Sequence, residues 1–447
     1  MTLTFGTDGV RGVANAELTP ELVLALGRAA ALVLGGDRFV VGRDTRRSGP
    51  LVQAALSAGL LSQGVSVVDV GVVPTPVVAH ASSVGSVPGA MISASHNVFG
   101  DNGIKFFAPG GHKLTDAQES QLETELARAS TAEDQGSRRA VPTGADVGTG
   151  RRDDGGVLDR YRQHLHDGIE GRRLSGLSVV LDCANGAAST VAPEVVRGLG
   201  AEVGVLGDRP DGTNINDGCG STSPAALQRA VLHHGADAGL AFDGDADRLI
   251  AADAQGQLVD GDQIIGLCAV DRHRRQRLAH DTVVVTVMTN MGFRLAMAEH
   301  GIHVVETDVG DRHVLAAMHD GGFSLGGEQS GHVIFGDVAT TGDGLLTAIT
   351  VLDVMARTGR TLSELASVMR RLPQVLLNVP TAGRGDVIGE LADHVVAAET
   401  ELAGEGRVLV RASGTEPMVR IMVEAPSTER AEAIASRLAG AVAPTAR

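Results

Sequence analysis

The chain has 447 residues, of which 43% are apolar, and a formal net charge of -16. This length exceeds what one hydrophobic core supports, so two to four domains are expected. The negative charge repels phosphate backbones, and one tyrosine with no tryptophan leaves few rings on which bases can stack, which argues against a nucleic acid partner.

The N-terminal sequence MTLTFGTDGVRG has no basic stretch followed by an apolar run, so we predict no signal peptide. The most apolar segment, residues 22–34, is interrupted by Arg28 and is too short to span a membrane. The three cysteines are widely separated, form no metal-binding spacing and cannot all pair. We therefore expect a cytoplasmic protein with no membrane partner.

A strand, a polar turn, a helix and a second strand recur three times along the chain. The first strands are the apolar runs at 39–41, 179–181 and 283–285, and the second strands are at 65–70, 201–206 and 302–307. Such units build parallel or mixed sheets that are covered by helices. Beyond residue 368 the order changes to strand, helix, strand, strand, helix, which predicts a smaller α+β domain.

The pattern therefore predicts an α/β protein with three similar α/β domains and a smaller C-terminal α+β domain. Residues 129–157 are rich in glycine and charge and are the best linker candidate, although an exposed hairpin has a similar composition. We predict domains over residues 1–153, 154–251, 252–368 and 369–447.

The sequence MISASHNVFGDNGIKFF at residues 91–107 places two serines where an apolar strand stops. Residues 90–92 predict the end of that strand, residues 101–103 predict a tight turn, and residues 104–107 predict the next strand. Residues 93–98 then form a loop of the kind that carries active-site groups in α/β domains. A serine-rich turn without chemistry is the alternative.

Three carboxylates alternate in the sequence DGDADR at residues 243–248. An EF-hand is excluded, because its sixth position is Arg248 where glycine is required and its twelfth is Ala254 where an acidic residue is required. A short loop with three carboxylates suits Mg²⁺ that also binds a phosphate oxygen. A solvated acidic turn is the alternative, but the preceding apolar run places these carboxylates at a strand end.

Two further turns carry groups suited to a phosphorylated sugar. RASGTEP at residues 411–417, with Arg420 beyond it, offers hydroxyls, a bare backbone turn and two guanidinium groups to a phosphate. GGEQSGH at residues 326–332 offers a carboxylate, an amide, a hydroxyl and an imidazole to sugar hydroxyls. Taken alone, each segment is equally well explained as an ordinary polar turn.

Together, ten motifs resemble those of the α-D-phosphohexomutase superfamily, and most of all its bacterial phosphoglucosamine mutase branch. They are FGTDGVRG (5–12), GRDTR (42–46), SASHN (93–97), DNGIKFF (101–107), DGTNINDGCGS (211–221), DGDADR (243–248), VDGDQI (259–264), VGDR (309–312), GGEQSGH (326–332) and RASGTEPMVR (411–420). Because these motifs are spread over the whole chain, the resemblance covers all of it.

The resemblance implies four domains around a central cleft and the interconversion of glucosamine 6-phosphate and glucosamine 1-phosphate. This isomerisation passes through a phosphoserine and a 1,6-bisphosphate, on the route to UDP-N-acetylglucosamine and cell-wall precursors. It implies one Mg²⁺ per chain, with glucosamine 1,6-bisphosphate or glucose 1,6-bisphosphate as activator. The expected partner is a phosphosugar, the expected assembly is a monomer or homodimer, and the serine is first phosphorylated by a kinase or by the protein itself.

The resemblance also assigns roles to individual positions. It makes Ser95 the phosphorylated nucleophile, and the residues around the reacting phosphate are His96, Lys105, Arg11 and Arg248. The implied metal ligands are Ser95, Asp243, Asp245 and Asp247. The implied sugar-binding residues are Glu328, Ser330, His332, Asp311 and Arg312. The implied phosphate-binding residues are Arg411, Ser413, Gly414, Thr415 and Arg420.

Lys105 is one of only two lysines in the chain, against 36 arginines. Proton transfer to and from a sugar hydroxyl needs a group that titrates, which arginine does not do. Lys105 is therefore our candidate for the general acid and base. Chance is the alternative, since the second lysine, Lys113, has no such role.

Val98 is a departure from the family, whose loop usually has proline after the asparagine that corresponds to Asn97. Proline fixes its own φ and restricts the preceding residue, whereas valine keeps an N–H and more backbone freedom. We expect a less preorganised loop with the same nucleophile, and we expect Val98→Pro to be tolerated.

Three other functions stay open. A phosphoglucomutase or phosphomannomutase uses the same chemistry on a neutral sugar, and the preference for glucosamine rests on resemblance, with Gln329 where hexose enzymes often carry methionine. A metal-dependent phosphatase with a serine nucleophile has no use for a second, distant phosphate cradle. A non-catalytic phosphosugar-binding regulator is the third alternative. The presence of every chemical group that catalysis requires argues against it.

Overall fold

The computed structural model describes residues 9–130, 141–381, 387–412 and 418–442. These residues fall into two compact units. The first unit contains Met1–Met288 and Ile302–Ser367, and the second contains Thr289–Gly301 and Val368–Arg447. No helix in the described ranges is both long and apolar enough to cross a bilayer.

The first sheet has six strands in the order β1-β5-β4-β2-β3-β6. They are β1 (Val10–Val13), β2 (Arg38–Arg43), β3 (Ser66–Val72), β4 (Gly89–Ile92), β5 (Asp101–Phe107) and β6 (Gly150–Arg152). The accompanying helices are α1 (Pro20–Leu34), α2 (Gly49–Leu61), α3 (Thr75–Gly85) and α4 (Asp116–Ser130). β2 is parallel to β3 and β4, whereas β5 is antiparallel to β1 and β4.

Side chains along β1 and β5 alternate between the core face and the opposite face of the first sheet. Val10, Ile92 and Ile104 belong to the hydrophobic core under α1 and α2. Successive side chains of a strand point to opposite faces of the sheet. Arg11 and Lys105, each next to one of these core residues, therefore lie together on the opposite face.

The predicted tight turn at residues 101–103 is wrong. These residues begin β5, and they pair with β1 in the register Arg11↔Gly103, Gly12↔Asn102 and Val13↔Asp101. The Asn102 side chain donates to Ser48 Oγ and accepts the Gly103 N–H, so it is used within the strand. The chain reverses earlier, between Ser93 and Gly100, because strand pairing outweighs the local turn preference of Asp-Asn-Gly.

The predicted linker at 129–157 is only partly correct. Residues 150–152 form β6, which extends the first sheet by pairing parallel to β3, and α5 begins at Gly156. Residues 131–140 of this segment lie outside the described part of the chain. The glycine and charged residues of this segment therefore belong to an exposed edge strand, β6, as well as to a connection between domains.

The second sheet has the order β11-β10-β9-β7-β8. Its strands are β7 (Ser178–Asp182), β8 (Glu202–Leu206), β9 (Ala238–Phe242), β10 (Leu249–Asp253) and β11 (Leu258–Val259). Its helices are α5 (Gly156–Gly168), α6 (Ala188–Gly198) and α7 (Ala225–His234). β7 is parallel to β8 and β9, and β10 returns antiparallel to β9. The acidic sequence 243–248 is the connection between β9 and β10.

The third sheet has the order β13-β12-β14-β15. Its strands are β12 (Thr282–Thr286), β13 (His303–Thr307), β14 (Leu325–Gly327) and β15 (Val333–Phe335). The helices between residues 261 and 366 are α8 (Gly261–Arg274), α9 (Met291–Glu299), α10 (Asp311–Gly321), α11 (Gly344–Thr358) and α12 (Leu362–Ala366). Helix α9 belongs to the second compact unit.

The three predicted β-α-β copies are confirmed, because each gives a parallel pair: β2 with β3, β7 with β8, and β12 with β13. The predicted smaller α+β region is confirmed as well. It has an antiparallel sheet in the order β16-β18-β17. Its elements are β16 (Gln374–Pro380), α13 (Val387–Leu402), β17 (Arg407–Ala412), β18 (Met418–Glu424) and α14 (Thr428–Val442). The predicted class, mixed α/β sheets followed by a smaller α+β sheet, is correct.

Candidate active site

Ser95 lies in the loop that follows β4, and its side chain points at the acidic loop between β9 and β10. Its hydroxyl donates to Asp243 Oδ2 over 2.5 Å and lies 3.4 Å from His96 Nδ1. Ser95 is 1% exposed, and its φ of +50° is in the left-handed region. The structure thus brings the predicted nucleophile into contact with a predicted metal ligand that is far away in sequence.

Ser93 has a different environment from Ser95. Its hydroxyl accepts the Ser95 N–H over 2.9 Å and donates to Asp44 Oδ2 over 2.7 Å. Arg46 Nε donates to the same Asp44 oxygen over 2.8 Å. Burial raises the pKa of Asp44, and the Arg46 charge and the Ser93 hydrogen bond offset part of that effect. Ser93 is therefore a buried link in a hydrogen-bonded chain, which leaves Ser95 as the serine that faces the acidic loop.

The guanidinium group of Arg46 organises the serine loop. Arg46 is 1% exposed, and its Nη2 donates to Ser95 O over 2.8 Å and to Asn97 O over 3.0 Å. Its Nη1 donates to Asp101 O over 3.1 Å and also to Val98 O. One side chain thus donates to four loop carbonyls and holds Ser95–Asp101 in one conformation.

The acidic loop brings three buried carboxylates together at the end of β9. Asp243, Asp245 and Asp247 each offer one oxygen within a group whose members lie within 4.8 Å of one another. Thr75 Oγ1 donates to Asp245 over 2.6 Å, and Lys105 Nζ donates to Asp245 over 3.0 Å and to Asp247 over 3.1 Å.

These three aspartates fit a magnesium ion. The second oxygen of Asp245 is buried and accepts no hydrogen bond from the described residues. A buried carboxylate oxygen without a donor is costly unless a cation or a water satisfies it. Three such hard oxygen ligands, with Ser95 Oγ beside them, match the ligand chemistry that Mg²⁺ prefers.

Crowding of like charges perturbs this cluster strongly. Burial and the charges of Asp247 and Asp245 raise the pKa of Asp243 well above its usual range. Asp247 is buried too, but Lys105 and His332 hold the pKa of that carboxyl well below its usual range. One carboxylate is therefore charge-compensated by its neighbours, and another resists ionisation until further positive charge arrives.

Four basic groups predicted around the reacting phosphate converge here. Arg248 lies 3.9 Å from Asp247 through its Nε, and Lys105, only 4% exposed, contacts two of the aspartates. Partial burial, followed by the charges of Arg248 and Arg11, lowers the pKa of His96. Burial and the two permanent charges therefore favour the neutral imidazole of His96, while Asp245 and Asp247 partly oppose them.

The predicted sugar loop is a tight turn between β14 and β15. The Gly331 N–H donates to Glu328 O, and the Leu249 N–H donates to Gly331 O at the start of β10. Glu328 Oε1 accepts the Gly310 N–H over 3.1 Å, and Ser330 is exposed. The loop is thus attached by backbone hydrogen bonds to the strand that follows the acidic loop, with Glu328 half-buried beside it.

His332 and Asp311 form a buried extension of the acidic cluster. His332 Nδ1 lies 3.8 Å from Asp247, and its Nε2 lies 3.3 Å from Asp311 and accepts the Gly342 N–H over 3.1 Å. Burial alone would lower the pKa of His332, but the carboxylates of Asp247 and Asp311 raise it above its usual value. Lys113 pairs with Asp311, so the second lysine has a structural explanation.

Arg312 has carboxylate partners on the helix after the first sheet. Its Nη1 donates to Asp116 over 2.6 Å and its Nη2 donates to Glu119 over 2.5 Å. The Arg312 side chain is one-quarter exposed. The structure therefore shows this predicted sugar-binding residue in ion pairs with two carboxylates of α4, and its role towards a substrate stays a prediction.

Arg411 and Arg420 lie directly opposite each other in the β17–β18 register of the second unit. Like charges at directly opposed positions of a sheet destabilise it unless an anion lies between them. The buried Nε of Arg420 donates no hydrogen bond within the described residues. The other predicted phosphate-binding residues lie outside the described part of the chain; they are Ser413, Gly414 and Thr415.

Three residues that contact this site had no role in our prediction: Arg46, Thr75 and Asn216. Arg46 and Asn216 stand in the motifs GRDTR and DGTNINDGCGS, so their presence in a motif was the only available signal. Thr75 precedes a proline at the start of α3 and has no distinguishing sequence feature. All three act through contacts with residues more than 45 positions away, which spacing alone does not reveal.

This chain matches the models of all four domains of one family: phosphoglucomutase/phosphomannomutase alpha/beta/alpha domain I at residues 2–133, domain II at 159–256, domain III at 260–372, and the C-terminal domain at 376–441. A phosphoglucosamine mutase from Streptomyces coelicolor is 55% identical over 98% of this chain and 98% of its own. A phosphoglucosamine mutase from Thermobifida fusca is 54% identical over 99% of this chain and 98% of its own.

A solved structure supports the same grouping. The crystal structure of a phosphoglucomutase/phosphomannomutase family protein from Burkholderia thailandensis is 27% identical, with a TM-score of 0.80, and the match covers 99% of this chain and 98% of that one. The four consecutive domain models and the relatives that match nearly the whole chain all point to the same family. The chain belongs to the phosphoglucomutase/phosphomannomutase family.

Proposed function

We propose that this protein is a phosphoglucosamine mutase, a cytoplasmic isomerase that interconverts glucosamine 6-phosphate and glucosamine 1-phosphate. The observation that carries the proposal is the hydrogen bond from Ser95 Oγ to Asp243 within a buried cluster of three aspartates. The end-to-end similarity to phosphoglucosamine mutases at 54–55% identity supports the choice of substrate.

The reaction needs two phosphoryl transfers, because O1 and O6 of the sugar are too far apart for a direct shift. Phosphorylated Ser95 first donates its phosphoryl group to the free hydroxyl of the substrate. The hydroxyl oxygen forms the new P–O bond, the bond to Ser95 Oγ breaks, and the hydroxyl proton is taken up by a base. The product is glucosamine 1,6-bisphosphate. After the sugar reverses its orientation, Ser95 Oγ attacks the other phosphate and the bond between that phosphorus and the sugar oxygen breaks. The sugar oxygen takes up a proton, and the sugar monophosphate product leaves.

Asp243, Asp245 and Asp247, with the Ser95 phosphate, would hold one Mg²⁺. When bound, the ion offsets the charge of the phosphoserine, about -1.5 to -2 at neutral pH, and stabilises negative charge on the phosphoryl oxygens. Arg11 and Arg248 add permanent positive charge around the same phosphate. Positioning and electrostatics of this kind supply most of the catalysis in phosphoryl transfer.

Lys105 is the general acid and base of the proposal. Its Nζ lies on the sheet face shared with Arg11 and contacts Asp245 and Asp247, so it stands beside the phosphoserine position. His96, whose pKa is lowered by its half-buried position and by Arg248, lies 3.4 Å from Ser95 Oγ through its Nδ1. As the neutral amine, Lys105 takes the proton of the attacking hydroxyl, and as the resulting ammonium it returns that proton in the second transfer.

The substrate needs one phosphate held while the other reacts. Arg411 and Arg420 form the non-reacting phosphate cradle together with Ser413, Gly414 and Thr415 of the same motif. The opposed guanidinium groups of Arg411 and Arg420 support this assignment, since an anion between them would relieve their repulsion. The sugar-binding set, which must accept both orientations of the ring, is Glu328, Ser330, His332, Asp311 and Arg312.

The test is a comparison of three substrates with purified protein. Glucosamine, glucose and mannose 6-phosphates are each supplied with Mg²⁺ and with glucose 1,6-bisphosphate as activator, and both the 1-phosphate and free phosphate are measured. We expect the highest kcat/KM with glucosamine 6-phosphate and little free phosphate. A higher kcat/KM with glucose or mannose 6-phosphate would make the protein a hexose phosphomutase, and phosphate release faster than isomerisation would make it a phosphatase.

A further inference from the structure

Two carbonyls of the serine loop are each held by the same pair of donors. Ser95 O accepts from Arg46 Nη2 over 2.8 Å and from Asn216 Nδ2 over 2.9 Å. Asn97 O accepts from the same two nitrogens, over 3.0 Å in both cases. Arg46 follows β2 of the first sheet, and Asn216 follows β8 of the second. Two donors from different sheets therefore close on one pair of loop carbonyls.

We infer that Arg46 and Asn216 are positioning residues that hold the Ser95 nucleophile in an otherwise unfavourable backbone conformation. This inference rests on the proposed role of Ser95. A serine with φ near +50° is disfavoured, since only glycine and, less often, asparagine or aspartate adopt the left-handed region readily. Fixing the flanking carbonyls selects this conformation and aims Oγ at Asp243.

The acidic loop takes part in the same arrangement through its glycine. A Cβ on Gly244 would lie 2.5 Å from Ser95 O and 2.9 Å from Asn216 Nδ2. The backbone between Asp243 and Asp245 is therefore packed directly against the carbonyl that Arg46 and Asn216 hold. This packing fixes the position of the Ser95 side chain relative to the aspartates. The motif DGTNINDGCGS contributes to it through Asn216.

These hydrogen bonds supply stiffness that the residue at position 98 does not. Val98 is 67% exposed, so its side chain contributes little packing to the loop. Its carbonyl, like that of Asp101, accepts from Arg46 Nη1. The loop is thus preorganised by buried donors. A proline at 98 and the two donors should be partly interchangeable.

The experiment uses Asn216→Gly in the full-length protein with glucosamine 6-phosphate, Mg²⁺ and glucose 1,6-bisphosphate. Asn216 has a φ of +58°, so glycine removes the amide group without straining the backbone. Asn15→Gly is the matched control, because Asn15 is an exposed asparagine with a φ of +64° and donates to neither Ser95 O nor Asn97 O. We expect kcat to fall about tenfold for Asn216→Gly, the equivalent of one to two neutral hydrogen bonds, with KM within about twofold.

A second measurement separates positioning from a merely structural role. Intact mass after incubation with glucose 1,6-bisphosphate gives the rate of Ser95 phosphorylation, which should slow by the same factor as kcat in Asn216→Gly. Adding Val98→Pro to Asn216→Gly should recover part of both rates. Arg46→Lys, which keeps the buried charge beside Asp44 but loses the planar array of donors, should lower kcat further than Asn216→Gly.

The outcomes are distinguishable. If the wild-type protein isomerises the substrate and Asn216→Gly is as active as Asn15→Gly, the inference is wrong and the proposed function stands. If Asn216→Gly lowers the melting temperature and leaves kcat and the phosphorylation rate unchanged, Asn216 is structural only and the inference is again wrong. Loss of activity that Val98→Pro does not relieve at all contradicts the claim that donors and proline do the same work.

Discussion

Two buried clusters of charged side chains differ in how completely they are satisfied. In the first unit, Asp243, Asp245 and Asp247 crowd together with Lys105 between two of them, and one Asp245 oxygen accepts no hydrogen bond. Among the residues of the second unit that the structure describes, Glu424 is the one buried carboxylate, and it accepts from three donor residues. The buried charge of Glu424 serves the fold, whereas that of the aspartates awaits a ligand.

Glu424 illustrates the satisfied case. It is fully buried, and it accepts from Arg407 Nε and from the Met291 N–H, each over 2.8 Å, and from Asn290 Nδ2 over 3.2 Å. Arg407 also donates to Thr289 O over 2.6 Å. One negative and one positive charge compensate each other, and the cluster joins the start of α9 to β17 and β18 within the second unit.

The difference follows from the cost of burying charge. A buried carboxylate with a cation and hydrogen-bond donors contributes to a defined structure, whereas three that compete for too few donors destabilise the metal-free protein. Such an uncompensated arrangement persists where a ligand supplies the missing charge. The uncompensated aspartates therefore mark the candidate active site. The compensated pair of Glu424 and Arg407 holds elements of the second unit together.

The largest expected effect comes from removing the nucleophile from the unbalanced cluster. Ser95→Ala should lower kcat by more than about 10³-fold, because no other group can carry the phosphoryl intermediate. The melting temperature should stay within a degree or two of the wild type, which is a change of a few tenths of a kcal/mol. Ser93→Ala, which breaks the chain from Ser95 N–H to Asp44, should retain measurable turnover. Equal loss in both variants would contradict the distinction between the two serines.

Removing charge from the compensated pair of Glu424 and Arg407 should instead lower the stability of the protein. Glu424→Gln leaves the buried Arg407 without its counter-charge, so the free energy of unfolding should fall by about 3 kcal/mol. Urea unfolding of the full-length protein measures it, with Glu405→Gln, an exposed carboxylate on the same unit, as control. A stability equal to that of the control would show that Glu424 is dispensable for the fold.

Lys105→Arg tests whether the unbalanced cluster needs a titrating cation or only a positive charge. Arginine preserves the charge next to Asp245 and Asp247 but does not give up its proton. We expect KM to change little and kcat to fall about 10²-fold, the low end for loss of a general acid and base. Steady-state kinetics with glucosamine 6-phosphate give both constants, and an unchanged kcat would remove Lys105 from the mechanism.

Neutralising one ligand should stabilise the metal-free protein. Asp243→Asn keeps an oxygen that can accept the Ser95 hydroxyl and removes one of the crowded charges. Because burial and the charges of Asp247 and Asp245 raise the pKa of Asp243, we expect the metal-free variant to be more stable by about 1 kcal/mol, less than the value of one pKa unit. Thermal unfolding with and without Mg²⁺ checks this. The ion should raise the melting temperature of the wild type but not of the variant, and a lower metal-free stability would contradict the comparison.

The smallest effect is expected at Val98. Val98→Pro adds stiffness to a loop that Arg46 and Asn216 already hold, so kcat should change by less than about twofold. The same kinetic assay measures it. A collapse in activity would show that the backbone at Val98 follows a path that proline cannot adopt.

The sequence predicts the fold class and the centre of the site for a physical reason. Apolar runs identified β4 and β9. Polar residues that follow the ends of such strands are placed to form a site, as Ser95 and Asp243 do across two sheets. The turn predicted at residues 101–103 was wrong because pairing of β5 with β1 overrides the local preference of Asp-Asn-Gly. Local propensity is a weaker determinant than partners that are distant in sequence.

The contribution of Arg46 could not be predicted, because it depends on burial and on the direction of four carbonyls. Arginine near a glycine is common on surfaces, and nothing in GRDTR distinguishes this buried one. In the same way, the pairing of Lys113 with Asp311 and of Arg312 with α4 depends on how two sheets of the first unit pack. Sequence spacing identifies side chains that could bind or react with a substrate. The packing of the sheets decides which of these side chains already form ion pairs within the protein.

The most direct test of the account is the intact mass of the protein after incubation with glucose 1,6-bisphosphate and Mg²⁺, with the modified site mapped within residues 91–107. We predict a single added phosphate on Ser95, lost on addition of excess glucosamine 6-phosphate. Phosphate on Ser93, or an active enzyme that never carries phosphate in this segment, would contradict the assignment of Ser95 as the nucleophile.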